Sequence, residues 1–177
     1  METLTAVPLS KYLRTTYRPD CDWINGEVRE RNTGEQPHAA VQAFLGYLFR
    51  MNAERWGVRV FPEQRVQTSQ EHFRVADLCV VRRGIGAEPI VRTPPLLCVE
   101  ILSRDDSMSE IQERVDDYLQ MGVPVVWVID PRRRRAYFSM SEGLMQPAKE
   151  FLVVGGTDLS VAVATIFAEL DDLEQNG

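Results

Sequence analysis

An apolar stripe at helical spacing runs through the first third of the chain, and three apolar runs too short for helices follow it. Val41, Phe44, Leu45, Leu48 and Met51 recur every three or four residues, which predicts an amphipathic helix over residues 35–56, stopped by Gly57. Residues 73–81, 96–102 and 123–129 are apolar on both sides of a pleat, as strands covered on both faces are. Between the last two, Ser107 and Glu110 have capping-box spacing and open a helix that reaches about Met121, where Gly122 ends it. Strand, helix, strand in that order predicts a right-handed βαβ crossover with its two strands parallel.

The flanks read as hairpins and short elements. Residues 8–14 form a short helix. Asn25-Gly26 separates strand-like residues 23–24 from 28–31, a strong turn signal because both turn positions need positive φ. Residues 58–61 and 63–68 read as two short strands, with Val66 alternating with polar neighbours as on an edge. Asp130-Pro131 and the arginines after it make a turn, and residues 135–139 return as a strand. Residues 151–154 and 159–163 are further strands, with a short helix near Ile166. The prediction is one α/β domain over residues 1–170, a mixed β-sheet core flanked by helices with an N-terminal β-hairpin and additional antiparallel strands. Residues 171–177 read as a flexible tail.

Composition adds limits. Of the 177 residues, 44% are hydrophobic and 26% charged, enough for an ordinary globular core. No apolar window reaches membrane-spanning length, and the first residues lack the basic-then-apolar order of a secretory signal, so a cytoplasmic protein with no membrane partner is expected. The cysteines, Cys21, Cys79 and Cys98, are odd in number and far apart, which argues against a disulfide framework or a structural zinc. A net charge of −6 argues against coating nucleic acid by bulk electrostatics and leaves a local basic groove open. The basic residues are arginines apart from Lys11 and Lys149.

Two carboxylates stand where apolar residues belong. Asp77 lies inside the run over 73–81 and Glu100 inside the run over 96–102. A lone buried carboxylate carries a large desolvation cost, and two on nearby strands repel each other. A Mg²⁺-type ion removes both problems, since it takes carboxylate and carbonyl oxygens. The competing reading is a structural one, in which each acid lies at a strand end or pairs with an arginine such as Arg74 or Arg114.

The ordered set Asn25-Gly26-Glu27, His38 at a helix start, Arg74-Val75-Ala76-Asp77, Val99-Glu100-Ile101-Leu102-Ser103, Tyr118 and Val126 to Pro131 resembles the Uma2 family of the PD-(D/E)XK nuclease superfamily over residues 10 to 165. That resemblance implies a restriction-endonuclease-like core and a metal-dependent endonuclease acting on nucleic acid, DNA first, with a homodimer possible. It assigns Asp77, Glu100 and a backbone carbonyl near Ile101 to one or two Mg²⁺ or Mn²⁺ ions, with Glu27 approaching from the hairpin. The superfamily's usual proline before the aspartate is Ala76 here, and its lysine two residues after the second acid is Leu102. In relatives of this kind a lysine on the next helix, four residues before the tyrosine, takes its place, and here that position holds Arg114. Arginine does not deprotonate, so Arg114 is no general base, but it can clamp a phosphate. An i,i+4 pair with Glu110 is its alternative. Arg114, Tyr118 and His38 complete the substrate-binding candidates, although a histidine at such a place is more often a surface residue. Ser103 reads as a cap or turn, His72 as solvated, Trp127 as core, and Arg132 to Arg135 as either a DNA-facing patch or a solubilising tip. The alternative function is a degenerate nuclease fold that binds nucleic acid or builds an oligomer without cutting.

Overall fold

The computed structural model describes residues 6–32, 34–141 and 143–174. The hairpin forms as its turn residues require: β1 (Asp22–Ile24) and β2 (Glu27–Arg29) flank Asn25 and Gly26, which both have positive φ, 50° and 88°. A short helix α1 (Leu9–Arg14) precedes it. The long amphipathic stretch divides at Asn52 into α2 (Gln36–Met51) and α3 (Ala53–Trp56), and the Asn52 side chain bonds back to the Leu48 carbonyl at 2.9 Å. Its buried stripe is Val41, Leu45 and Phe49, whereas Met51 is 65% exposed and lies outside the expected face.

The two strands expected over 58–61 and 63–68 are one, β3 (Val58–Gln67), which continues through Pro62. Proline is tolerated there because β3 pairs in the sheet with β4 (His72–Arg82) alone, leaving its other edge without a strand. The three apolar runs become β4, β5 (Leu97–Ile101) and β6 (Val126–Asp130). Ser107 caps α4 (Met108–Met121) with both bonds of the capping box, a feature worth about 1 kcal/mol. β5 and β6 are parallel, as the strand–helix–strand order predicts. β7 (Arg135–Ser139) returns antiparallel, and β8 (Gln146–Ala148), which the sequence pattern does not reveal, extends that edge. β9 (Phe151–Val153) and β10 (Ser160–Ala162) form a separate two-stranded ribbon leading into α5 (Val163–Ala168). A short helix α6 (Asp171–Glu174) occupies the first part of the expected tail, and residues 175–177 lie outside the described residues.

The main sheet runs β2-β1-β4-β5-β6-β7-β8, with β3 along the other side of β4. One face, carrying Leu78, Leu97, Val99, Trp127 and Ile129, packs on α2 and α5. The other, carrying Cys79, Cys98, Val126 and Val128, packs on Ile111, Val115 and Tyr118 of α4. Each fully buried large side chain in these layers stabilises the fold by about 1.5–3 kcal/mol.

Candidate active site

β4 creates the site by having more length than either neighbour on one side can cover. Its first two residues pair with β1, and Leu78 to Val80 pair with β5. Arg74 to Asp77 face the gap between them. The β4–β5 ladder stops at Leu78 opposite Val99, and one further step of that register sets Asp77 opposite Glu100. On the other side, Pro62 and Gln64 pair with Leu78 and Ala76, so Glu63 is level with Asp77. Three carboxylate residues therefore stand in a row across β3, β4 and β5. Directly opposed residues on neighbouring antiparallel strands have Cα atoms about 4.5–5.5 Å apart.

Asp77 is 1% exposed. Its Oδ2 accepts the Ile101 backbone N–H at 2.6 Å and lies 3.4 Å from His38 Nε2. Its Oδ1 takes a very short bond from Arg31 Nη2. Burial would push this carboxyl up, but the His38 bond and the Arg31 charge outweigh it and hold Asp77 below the usual carboxylate range. His38 is not at the surface: it is 8% exposed in the first turn of α2. Burial alone would lower its pKa, and the bond to Asp77 more than reverses that. Its close fit explains the glycine upstream, because a Cβ on Gly34 would fall 2.6 Å from His38 Nδ1.

Glu100 is 2% exposed and draws its partners from α4. Tyr118 Oη donates to Oε1 at 2.7 Å, and Arg114 Nη1 donates to Oε2 at 3.2 Å. Helical spacing sets both side chains on one face of α4. Burial nevertheless pushes Glu100 up to about 7, with the Asp77 charge adding to it and Arg114 opposing it. Two facing acids thus titrate far apart: Asp77 holds its charge easily and Glu100 does not. Burial also pushes the Tyr118 hydroxyl well above its ordinary value, so it stays a donor.

A second layer of charge supports the first. Arg114 Nη2 also reaches Asp22 at 3.5 Å. Asp22 accepts the Val75 N–H at 2.9 Å, filling the place of a strand partner in the gap, and holds Arg74 at 3.0 Å. Arg74 in turn binds Asp117 at 2.6 Å. Arg114 thus turns inward to Glu100 and Asp22, and Glu110 instead caps Ser107. Arg74 serves Asp22 and Asp117 and neither of the two central acids.

Several sequence candidates lie elsewhere. Glu27 is on β2 with 42% of its side chain exposed, bonded to Arg29 at 3.1 Å, and among the described residues makes no hydrogen bond or ion pair with Asp77 or Glu100. Ser103 sits beside the acids, its N–H bonded to Asp106 at 2.6 Å in a turn, as expected. His72 begins β4 and lies in hydrogen-bond contact with Asp117 at 2.9 Å, so the solvated turn expected there is replaced by a strand that starts earlier than its apolar run. Trp127 is fully buried core. Arg134 of the arginine run binds Asp171 at 2.8 Å, while Arg133 stays exposed.

Four residues of the site escaped the sequence reading: Asp22, Arg31, Gln42 and Glu63. Arg31 lies in a loop, Glu63 on a half-exposed strand and Gln42 beside the buried stripe of a helix, so their polarity looked ordinary. The one usable signal was Asp22 next to Trp23 and Ile24, a carboxylate entering an apolar strand as Asp77 does.

Comparisons with known proteins bear on the family and the fold. A family model described as "Uma2: Putative restriction endonuclease" matches residues 9–150. No protein of curated function matches the chain. A solved structure from Anabaena variabilis, described as "a putative nuclease belonging to DUF820", superposes with a TM-score of 0.81, covering 93% of this chain and 99% of that one. At 20% identity it shows a shared fold.

Proposed function

The chain belongs to the Uma2 family, whose description reads "Putative restriction endonuclease", and from that premise we propose that it is a divalent-metal-dependent endonuclease that hydrolyses phosphodiester bonds of DNA. The observation that carries the reading is the pair of buried acids, Asp77 and Glu100, opposed at the end of a ladder, with Arg114 and Tyr118 reaching in from the helix that follows.

The donor set suits a hard cation by type. It offers carboxylate oxygens and the backbone at Ile101, and Glu100, pushed up to about 7, is a carboxylate whose present partners do not fully support its charge. Among the described residues no three His, Cys, Asp or Glu side chains already converge as a metal cluster, and Arg31 now stands on Asp77. Asp77, Glu100 and the Ile101 carbonyl are the groups that would hold Mg²⁺ or Mn²⁺. When bound, such an ion supplies polarisation of the scissile phosphate and a lowered pKa for attacking water.

The remaining roles belong to side chains of this protein. Tyr118 fixes one oxygen of Glu100 and so its orientation. Arg114, permanently charged, is placed to steady phosphate oxygens and to stabilise charge that develops there. His38, protonated more readily than usual, adds a donor beside Asp77. Asp22 keeps Arg114 directed inward.

Cleavage of supercoiled plasmid with Mn²⁺ tests the proposal. Asp77→Asn, which keeps the side chain's shape, should abolish metal-dependent nicking with the fold intact by circular dichroism; cleavage at the wild-type rate in that variant sinks the assignment. A second reading, a degenerate nuclease that binds nucleic acid without cutting, is favoured by one observation: each acid already has a guanidinium partner. DNA retention without any calorimetric signal for Mn²⁺ would select it.

A further inference from the structure

Arg31 is the guanidinium shared between two acids of the site. It lies between β2 and α2, away from any strand or helix, yet its side chain is only 10% exposed. Nη2 binds Asp77, Nη1 binds Glu63 at 2.5 Å, and buried Nε has no partner. Glu63, the acid level with Asp77 in the register, is half-exposed and has φ of 50° inside β3, a left-handed conformation that a carboxylate residue rarely takes in a strand. Gln42 Nε2 fixes it there, donating to Glu63 Oε1 at 2.7 Å and to the Asp77 carbonyl at 3.0 Å. One cation is thus shared between an inner, buried acid and an outer acid held over it.

Charge makes that sharing consequential. The two central acids, Asp77 and Glu100, share Arg31 and Arg114 with two further acids, Glu63 and Asp22. A dication taking Asp77 needs the oxygen that Arg31 now holds, and at close range in low-dielectric surroundings its charge repels the guanidinium. One of the two arginines must then give way to it. Arg114 is anchored twice, by Glu100 and by Asp22. Arg31 can release Asp77 and keep Glu63. Released, its Nε and Nη2 form an empty two-donor fork, the shape that grips two phosphate oxygens side by side.

We propose that Arg31 is a transferable cation: it holds Asp77 while the site is empty of metal, and it moves to the scissile phosphate, retained by Glu63, when a divalent ion takes Asp77. Arg31 is then a catalytic residue and Glu63 a positioning residue. The inference rests on the metal-dependent reading above.

The test separates the two. Mn²⁺ binding is measured by calorimetry on the full chain without nucleic acid, and plasmid nicking is measured at saturating Mn²⁺. Arg31→Met should bind Mn²⁺ about tenfold more tightly than wild type, because its competitor is gone, yet nick at least about tenfold more slowly, because the phosphate clamp is gone. Glu63→Gln, at the rim and independent of the core, should move metal affinity the other way, severalfold weaker, since Arg31 loses its alternative anchor and stays on Asp77. Equal Mn²⁺ affinity in wild type and both variants overturns the transfer while leaving the metal reading standing. Tighter metal binding with undiminished nicking in Arg31→Met reduces Arg31 to a plug and overturns its catalytic role. No Mn²⁺ binding by wild type or either variant overturns both the transfer and the metal reading.

Discussion

Two arginine–aspartate pairs near the gap in the sheet, Arg65–Asp20 and Arg31–Asp77, show how the same chemistry serves two purposes. Arg65 grips Asp20 with Nε and Nη2, both at 2.6 Å, adds the Thr15 and Tyr12 carbonyls, and stacks 4.4 Å over the Tyr12 ring. All three of its nitrogens have partners, and the aromatic face fixes the plane of the guanidinium. Arg31 has two acids, one nitrogen without a partner, no ring beneath it, and a neighbouring carboxyl, Glu100, that burial still pushes up to about 7. A completed pair is a staple that ties α1 to the sheet. An incomplete one keeps charge imbalance in reserve, which a ligand can relieve.

Substitutions sharpen that contrast, the largest effect first. Asp77→Asn should lower metal-dependent nicking by about a thousandfold or more, the scale seen when a key electrostatic group is removed, while the same change at Asp20 should leave activity within severalfold; plasmid assays of the two variants side by side check it. Glu100→Gln should act on the pH profile of stability. Because the folded pKa of Glu100 lies near 7, above its ordinary 4.5, the folded state of the wild type binds the extra proton between those values. Stability therefore falls as pH rises from about 4.5 to about 7, by on the order of 3 kcal/mol. His38, raised in the folded state, has the same sign: its contribution is present below 6.5 and is lost as pH climbs through its folded value. Denaturant titrations from pH 4.5 to 8 should show the fall in wild type and a shallower one in Glu100→Gln; equal slopes would mean that Glu100 is not under strain.

On the staple side, Arg65→Ala should cost about 2–3 kcal/mol of stability by leaving Asp20 without its partner, with Mn²⁺ affinity unchanged; denaturation and calorimetry on one preparation give both numbers. Tyr118→Phe removes one bond to a charged group, about 1.5 kcal/mol, and should steepen the pH-dependent fall, since Glu100 loses a donor that favours its charged form. The smallest effect is expected at Glu27→Ala, whose exposed pairing with Arg29 is worth less than about 1 kcal/mol. A tenfold loss of metal affinity in that variant would make Glu27 the metal-site acid that the family resemblance implies.

The two pairs also differ in how far they were legible along the chain. Asp77 and Glu100 stood out because each interrupts an apolar run, and a charge inside such a run signals by its cost. Arg114 and Tyr118 came from the family resemblance, on a helix whose capping box the structure reproduces. Arg31, Glu63, Gln42 and Asp20 gave no comparable signal, since arginine in a loop or glutamate on an edge strand is ordinary. The single β3 strand was missed for a related reason: Pro62 reads as a break, and only an edge without a second strand partner makes it harmless.

By itself the sequence determined most local elements, β3 and β8 apart, and the central pair of acids, because periodicity, caps, turn residues and misplaced charges are properties of neighbours along the chain. Tertiary structure alone decided that β4 outruns both β1 and β5, that Glu63, Asp77 and Glu100 fall level across three strands, and that Arg31 reaches into the gap between them. Register and strand length are settled by packing among segments tens of residues apart, and the balance of charge in a buried site is a sum over whichever groups that packing brings together.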